Sequence, residues 1–331
     1  MRAIRVTEKE AGQRLDKLLG KYLNLAGKGF IYKMLRKKNI TLNGKKCDGA
    51  EKLAAGDEIK LFLAEETIEK FSKVRAQEVR RAKLDIIYED AHILLINKPA
   101  GMLSQKAGVE DVSLTEYVTG YLLDTGALTR EDLKTFRPGV CNRLDRNTSG
   151  LVAAGKSLAG LQVMGEVFKD RSIHKRYYCL VSGRVSKPET IKGFLAKDSR
   201  TNRVKICENG GEKAAEIVTE YMPVFYIPPR EAGGDGYTLL KVTLITGRTH
   251  QIRAHLASVG HPLAGDYKYG NEEINKDVKN RYGIRRQMLH AFQVEFPKLR
   301  EPLAYLSGKS FMAPLPEEFK RVLGAERMGK L

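Results

Sequence analysis

The chain lacks tryptophan, lacks any run of about 18 apolar residues, and carries four cysteines in 331 residues. Without such a run, a membrane-spanning helix is not expected. Met1-Arg-Ala-Ile-Arg-Val-Thr-Glu8 holds no apolar core of the length a secretory leader needs, so a cytoplasmic location is expected. Cys47, Cys141, Cys179 and Cys207 include no close pair to clamp a metal or to start a disulfide framework, which leaves them as reduced, mostly structural thiols. Acidic residues are also in deficit, with 40 Asp and Glu against 58 Lys and Arg. No internal repeat or low-complexity segment occurs, although Glu208-Asn-Gly-Gly-Glu212 and Ala232-Gly-Gly-Asp-Gly236 have the composition of loop tips.

The imbalance gives a net charge of +18, which favours a polyanionic partner through counterion release. On charge alone RNA, DNA and an anionic membrane surface all remain open. Apolar residues make up 42% of the chain, enough for a full core, and its length suggests two domains.

Residues 1–63 form the first of these. Phe30, Ile31, Met34 and Leu35 recur at helical spacing, with Lys33, Arg36 and Lys37 on or beside the polar face. Ile40-Thr-Leu-Asn43-Gly44 reads as a strand ending in a tight hairpin turn, and residues 57–63 read as a closing strand. Seven basic residues and no acid lie between Lys28 and Lys46, so one surface of a small α/β, RNA-binding unit is expected to be strongly positive. Lys33, Arg36 and Lys37 are its candidate contacts. Residues 64–82 mix Glu, Lys, Arg and Ser as a mobile or partly helical link would.

Residues 83–331 make the second domain. Residues 84–90 and 93–99 suggest a hairpin, residues 157–169 a helix, and residues 173–181, 192–195, 215–224, 237–244 and 291–296 extended segments. Many strands with few intervening helices imply an α+β fold around a mixed, largely antiparallel sheet with flanking helices.

Within this part, Gly139-Val-Cys-Asn-Arg-Leu-Asp145-Arg-Asn-Thr-Ser-Gly150-Leu-Val isolates one carboxylate in a polar turn just before a short buried strand. Arg143 and Arg146 flank Asp145, a carboxylate suited to serve as nucleophile or base. An ion-paired turn aspartate would look the same at this level. Gly247-Arg248-Thr-His250-Gln251-Ile252-Arg253 leads into a helix in which Ile252, Leu256 and Val259 share a face and Gly260 supplies the stop. His250 and Arg253 fall one turn apart and can face one cleft.

The Asp145 stretch resembles the catalytic motif of RNA pseudouridine synthases of the RluA type. Three further blocks resemble the same family in the same order: Ile96-Asn-Lys98-Pro-Ala-Gly101, Lys175-Arg-Tyr177-Tyr178 and Thr246-Gly-Arg-Thr-His-Gln-Ile-Arg253-Ala-His255. The resemblance runs from about Leu84 to about Pro314, and residues 1–63 resemble the small S-four, or alpha-L, RNA-binding domain. It implies an isomerase that detaches uracil from its ribose and rejoins it through carbon 5, with no cofactor or metal. It also implies catalytic roles for Asp145 as nucleophile, Tyr177 stacked on the uracil and Arg253 paired with Asp145. Substrate contacts are expected from Arg143, Asn142, His250, Gln251 and Arg248. Asn142 stands where the family usually has His and cannot titrate, so a contact to RNA or to the loop is expected there. Without the resemblance, Tyr177 reads as a half-buried strand tyrosine.

The implied partner is a structured RNA, large-subunit ribosomal RNA foremost and transfer RNA also open, with no obligate protein partner. The rival reading is a non-catalytic RNA-binding or ribosome-associated protein. Gly150-Leu-Val-Ala-Ala-Gly155-Lys156-Ser157 satisfies a phosphate-loop pattern, but its middle is strand-like and the cradle chemistry is not expected. His250, His255 and His261 are not spaced to share one helix face as metal ligands.

Overall fold

Two sheets divide the computed structural model, which describes residues 1–72, 81–108, 110–198, 201, 203–207, 209–211, 214–229 and 235–328. The first has four strands in the order β1-β4-β2-β3: β1 (Arg2–Arg5), β2 (Ile40–Leu42), β3 (Lys45–Lys46) and β4 (Glu58–Leu61). The expected turn at Asn43-Gly44 joins β2 to β3, with both residues at positive φ. Helices α1 (Leu15–Tyr22) and α2 (Lys28–Arg36) cover this sheet, and Leu15, Leu18, Leu19 and Leu35 pack fully buried against Ile40, Ile59 and Leu61. α2 thereby buries Ile31, Met34 and Leu35 and leaves Lys33, Arg36 and Lys37 exposed, the amphipathic split its spacing predicts.

The segment expected as a link begins with helix α3 (Glu65–Phe71). Its Ile68 is fully buried in the same core. Residues 73–80 of that segment lie outside the described residues, as do Glu208 and Glu212 and residues 232–234 of the two expected loop tips.

The larger sheet has eleven strands: β5 (Ile86–Glu89), β6 (Ile93–Lys98), β7 (Gly139–Val140), β8 (Ser149–Gly155), β9 (His174–Ser182), β10 (Glu189–Asp198), β11 (Arg203–Cys207), β12 (Ala214–Ile227), β13 (Tyr237–Leu244), β14 (Leu289–Glu295) and β15 (Ser310–Met312). Its order is β11-β10-β12-β13-β9-β14-β8-β6-β5, with β15 on β14 and β7 on β8. All pairings are antiparallel except β8 with β14. The α+β fold with a mixed, largely antiparallel sheet is therefore present. Helices α4 (Leu114–Asp124), α5 (Leu158–Lys169), α6 (Gln251–Ser258), α7 (Glu272–Tyr282) and α8 (Glu317–Met328) flank it. No helix among the described residues is long and apolar enough to cross a membrane.

β8 and β14 form the seam on which the site is built. All seven residues of β8 are buried, as expected of a strand covered on both faces. At Gly150 the backbone has φ +113°, and a Cβ there would lie 2.2 Å from the carbonyl oxygen of Ala291 on β14. Only glycine permits that approach. The phosphate-loop pattern ends here, because Gly150–Gly155 lies within β8 and Ser157 caps α5, accepting from the Gly160 amide at 3.1 Å.

The two units meet through the chain around Lys9. Lys9 Nζ pairs with Asp132 Oδ2 at 2.7 Å, Thr135 Oγ1 donates to Glu10 Oε1 at 2.6 Å, and the Leu158 amide donates to Lys9 O at 3.1 Å.

Candidate active site

Asp145 sits in the turn between β7 and β8, at the mouth of the seam. The turn closes by a 3.0 Å bond from the Thr148 amide to Asp145 O. On one flank Ser104 Oγ both accepts from the Leu144 amide and donates to Leu144 O, each at 3.0 Å. On the other, Lys98 is fully buried and donates to Pro99 O, Met102 O and Arg146 O at 2.9, 2.8 and 3.2 Å. Lys98 thus ties the first sequence block to the residue after Asp145. Burial pushes its ammonium down to about 7, partly offset by the charge of Asp145.

Asp145, Tyr177, Arg253, His250 and Arg143 line one cleft of about 950 Å³. Tyr177 comes from β9, between β13 and β14, and Arg253 from the first turns of α6. Arg253 Nη1 donates to Asp145 Oδ2 at 2.9 Å. Its other face is taken up by Asp266, to which Nε and Nη2 donate at 2.7 and 2.9 Å. Asp266 is fully buried and also accepts from the Lys268 and Tyr269 amides at 2.9 and 3.2 Å. The result is a chain of carboxylate, guanidinium and carboxylate, whose two acids hold the guanidinium charged despite its burial.

One oxygen of Asp145 is therefore held, while Oδ1 takes no hydrogen bond from any described residue. The side chain keeps 24% of its surface exposed to the cleft. Tyr177 is almost wholly buried, and its burial, with the negative charge of Asp145, pushes the phenol well above its ordinary value. It enters the site as a neutral ring.

His250, the residue before α6, has φ +55°, uncommon for a residue with a side chain. That conformation brings Nδ1 to 2.8 Å from Tyr269 Oη and leaves Nε2 3.9 Å from Asp145 Oδ2. Tyr269 Oη also accepts from the Val204 amide at 2.9 Å, so the phenol links the imidazole to β11. Burial favours the neutral ring, partly offset by Asp145.

The remaining candidates divide. Arg143 and Arg248 are exposed at the cleft, free to meet a ligand. Gln251, expected as a substrate contact, is 2% exposed and committed to the protein. Its Oε1 accepts from Thr246 Oγ1 and the Arg248 amide at 2.8 and 3.1 Å, and its Nε2 donates to Val218 O and Thr219 Oγ1, both at 3.0 Å. It shapes the loop that carries Arg248 and His250. Asn142 donates to Leu151 O at 3.2 Å and accepts from the Ala153 amide at 2.8 Å, so its amide extends the pairing of β7 on β8 and serves the loop. Lys33 and Arg36 on α2 and Lys37 just after it belong to the other sheet's unit and do not line the cleft. His255 turns away to Thr219, at 3.0 Å, and His261 to Ser182 O, at 3.0 Å.

Four participants escaped the sequence reading: Lys98, Ser104, Asp266 and Tyr269. Asp266 carried the one legible signal, a lone acid in the apolar run Pro262-Leu-Ala-Gly-Asp266.

A family model described as RNA pseudouridylate synthase matches residues 92–258, a span that contains Asp145, Tyr177 and Arg253. The chain belongs to the RNA pseudouridylate synthase family. Its reaction is accordingly the isomerisation of uridine to pseudouridine in RNA. The ribosomal large subunit pseudouridine synthase C of Pasteurella multocida (strain Pm70) is 30% identical over 345 residues, covering 100% of this chain and 95% of that protein. Its namesake from Escherichia coli (strain K12) is 31% identical over 337 residues, covering 98% and 96%. Among solved structures, human RNA pseudouridylate synthase domain containing 4 superposes with a TM-score of 0.56 at 20% identity, covering 74% of this chain and 92% of that one. Human RNA pseudouridylate synthase domain containing 1 gives 0.52 at 22%, covering 73% and 95%. These two likenesses establish that the pseudouridine synthase fold is shared.

Proposed function

We propose that this pseudouridine synthase acts on uridines of large-subunit ribosomal RNA, with Asp145 as its nucleophile. The observation that carries the assignment is the asymmetric hold on Asp145, with Oδ2 bound by Arg253 and Oδ1 unengaged among the described residues at a cleft. The names of the full-length relatives support the choice of RNA.

In this reading the target nucleotide leaves its helix and enters the cleft, at a cost of roughly a few kcal/mol. Uracil packs on the Tyr177 ring, and Arg143 meets the phosphates or fills the space the base has left. Asp145 Oδ1 bonds to the ribose C1′ as the bond from C1′ to uracil N1 breaks, and the freed ring turns. Carbon 5 then bonds to C1′ as the bond to Asp145 breaks and the carboxylate is restored, and the proton lost from carbon 5 is matched by the one taken up at N1. Substrate and product are isomers, so atoms and electrons balance. Arg253 keeps Asp145 oriented throughout, itself held by Asp266. Residues 1–63 supply a second grip on the RNA through Lys33, Arg36 and Lys37.

The test is tritium release from ribosomal RNA labelled at uracil carbon 5, with transfer RNA as the parallel substrate. Wild type should release tritium from ribosomal RNA, and Asp145→Asn should release none while keeping filter-binding affinity within a few-fold, since a nucleophile adds little to phosphate contacts. Release from transfer RNA alone would overturn the substrate assignment, and full activity of Asp145→Asn would overturn the nucleophile.

A further inference from the structure

Two lysines of the catalytic unit are buried beside the cleft, and they differ in one respect. Lys98 gives its ammonium to three carbonyl oxygens. Lys175, 8% exposed, gives its ammonium to none of the described residues, and no carboxylate among them affects it. The charge that acts on it is another cation, Arg171. An ammonium on a side chain this little exposed, with no carboxylate beside it, is costly to keep charged. Lys175 nonetheless lines the cleft, as do Gly247, which lies against its Nζ, and Arg171, whose charge acts on it.

Strand geometry fixes where this end lies. Lys175 and Tyr177 are two residues apart on β9, so they emerge on the same face about 7 Å apart along the strand. That is the scale separating a nucleobase from the phosphate of its own nucleotide. Gly247 keeps the approach open, since a Cβ there would lie 3.6 Å from Lys175 Nζ and occupy the space beside the ammonium. Arg171 stands exposed at the entrance with φ +65°, a conformation that turns the chain from α5 into β9.

We infer that Lys175, with Arg171 at its entrance and Gly247 as its open wall, forms a subsite for one phosphodiester group flanking the flipped uridine. The inference rests on the reading of Tyr177 as the surface that receives the base. An incoming phosphodiester anion gives the buried ammonium the partner the protein withholds, and the low exposure makes the bond stronger than a rim contact. Positioning follows as well: a base on Tyr177 and a phosphate on Lys175 fix the nucleotide at both ends above Asp145.

Lys175→Met and Lys175→Arg are the variants, measured on a ribosomal RNA fragment in which each phosphate flanking the target is replaced in turn by a neutral methylphosphonate. Wild type should lose affinity on the order of tenfold at one linkage. Lys175→Met should bind the unmodified RNA weaker by a similar factor and lose nothing further at that linkage, with KM moving more than kcat and partial rescue by Arg. Without RNA, Lys175→Met should melt no lower than wild type, because it removes an unpaired charge, whereas a structural lysine would leave a lower melting temperature. Equal further loss in Lys175→Met and wild type at every linkage would overturn the subsite. Absence of tritium release from wild type would count against the substrate reading, while the binding comparison would still decide the subsite.

Discussion

Arg253 and Asp266 meet through two hydrogen bonds at 2.7 and 2.9 Å, with the carboxylate wholly buried, so that the guanidinium bonding Asp145 is itself fixed from behind. Asp266→Asn leaves Arg253 with Asp145 as its one remaining carboxylate partner. Breaking such a pair on one side costs about 3–5 kcal/mol of stability, and loss of the fixed orientation lowers kcat on the order of 100-fold. Steady-state tritium release should show kcat falling more than KM changes. Burial opposes the charge on Asp266, but the Arg253 bonds and two amides outweigh it and hold the carboxyl below the ordinary range. Its folded value being the lower one, its contribution is complete above about pH 4 and is lost as pH falls through that folded value. Acid unfolding curves of wild type and Asp266→Asn should therefore converge as pH drops.

Lys98 predicts the opposite end of the pH scale. Its ammonium is pushed down to about 7 by burial, below its unfolded value. Between those values the unfolded chain binds the extra proton, so stability rises with pH across the window and falls as pH returns to 7. Thermal melts of wild type against Lys98→Met from pH 7 to 10 should show the difference moving in favour of wild type. A pH-independent difference would mean that the three carbonyls keep the ammonium charged throughout.

Gly150→Ala should be severe. The added carbon meets the Ala291 carbonyl, a backbone atom of a central strand that cannot rotate away, in a conformation that disfavours L residues. A loss of about 3 kcal/mol or more is expected, read as a lower melting temperature or failure to accumulate as folded protein.

The triple change of Lys33, Arg36 and Lys37 to Gln should leave melting behaviour intact, since all three are exposed. Affinity for ribosomal RNA should fall, and the slope of log affinity against log salt should flatten by about one for each phosphate contact removed. An unchanged slope would place RNA elsewhere than on α2.

Local pattern made much of this readable. The extended segments that became β9, β12, β13 and β14 and the helix α5 announce themselves by period, because each buries one face or both. Asp145, Tyr177 and Arg253 stand in blocks whose order carries the resemblance. Strand order was hidden, since β14 pairs with both β8 and β9 across more than a hundred residues and no local period encodes that choice. Helix α4 was legible in its Leu114, Val118 and Leu122, all fully buried at helical spacing, yet went unread; α7 buries few of its residues and gave little to read. Lys98 stands in the first block with no role legible in it, because only the fold supplies the three carbonyls that hold it. Gln251 was misjudged by neighbourhood, its motif company suggesting a ligand where the loop itself is the partner.

β14 gives the molecule a timetable. It inserts between β8, which bears the Asp145 turn, and β9, which bears Tyr177. On the ribosome both of those strands emerge more than a hundred residues before the strand that joins them, each with a free edge. The Asp145 and Tyr177 sides of the proposed site are thus made well before the strand that brings them together, and the cleft cannot take its final form until β14 has been translated.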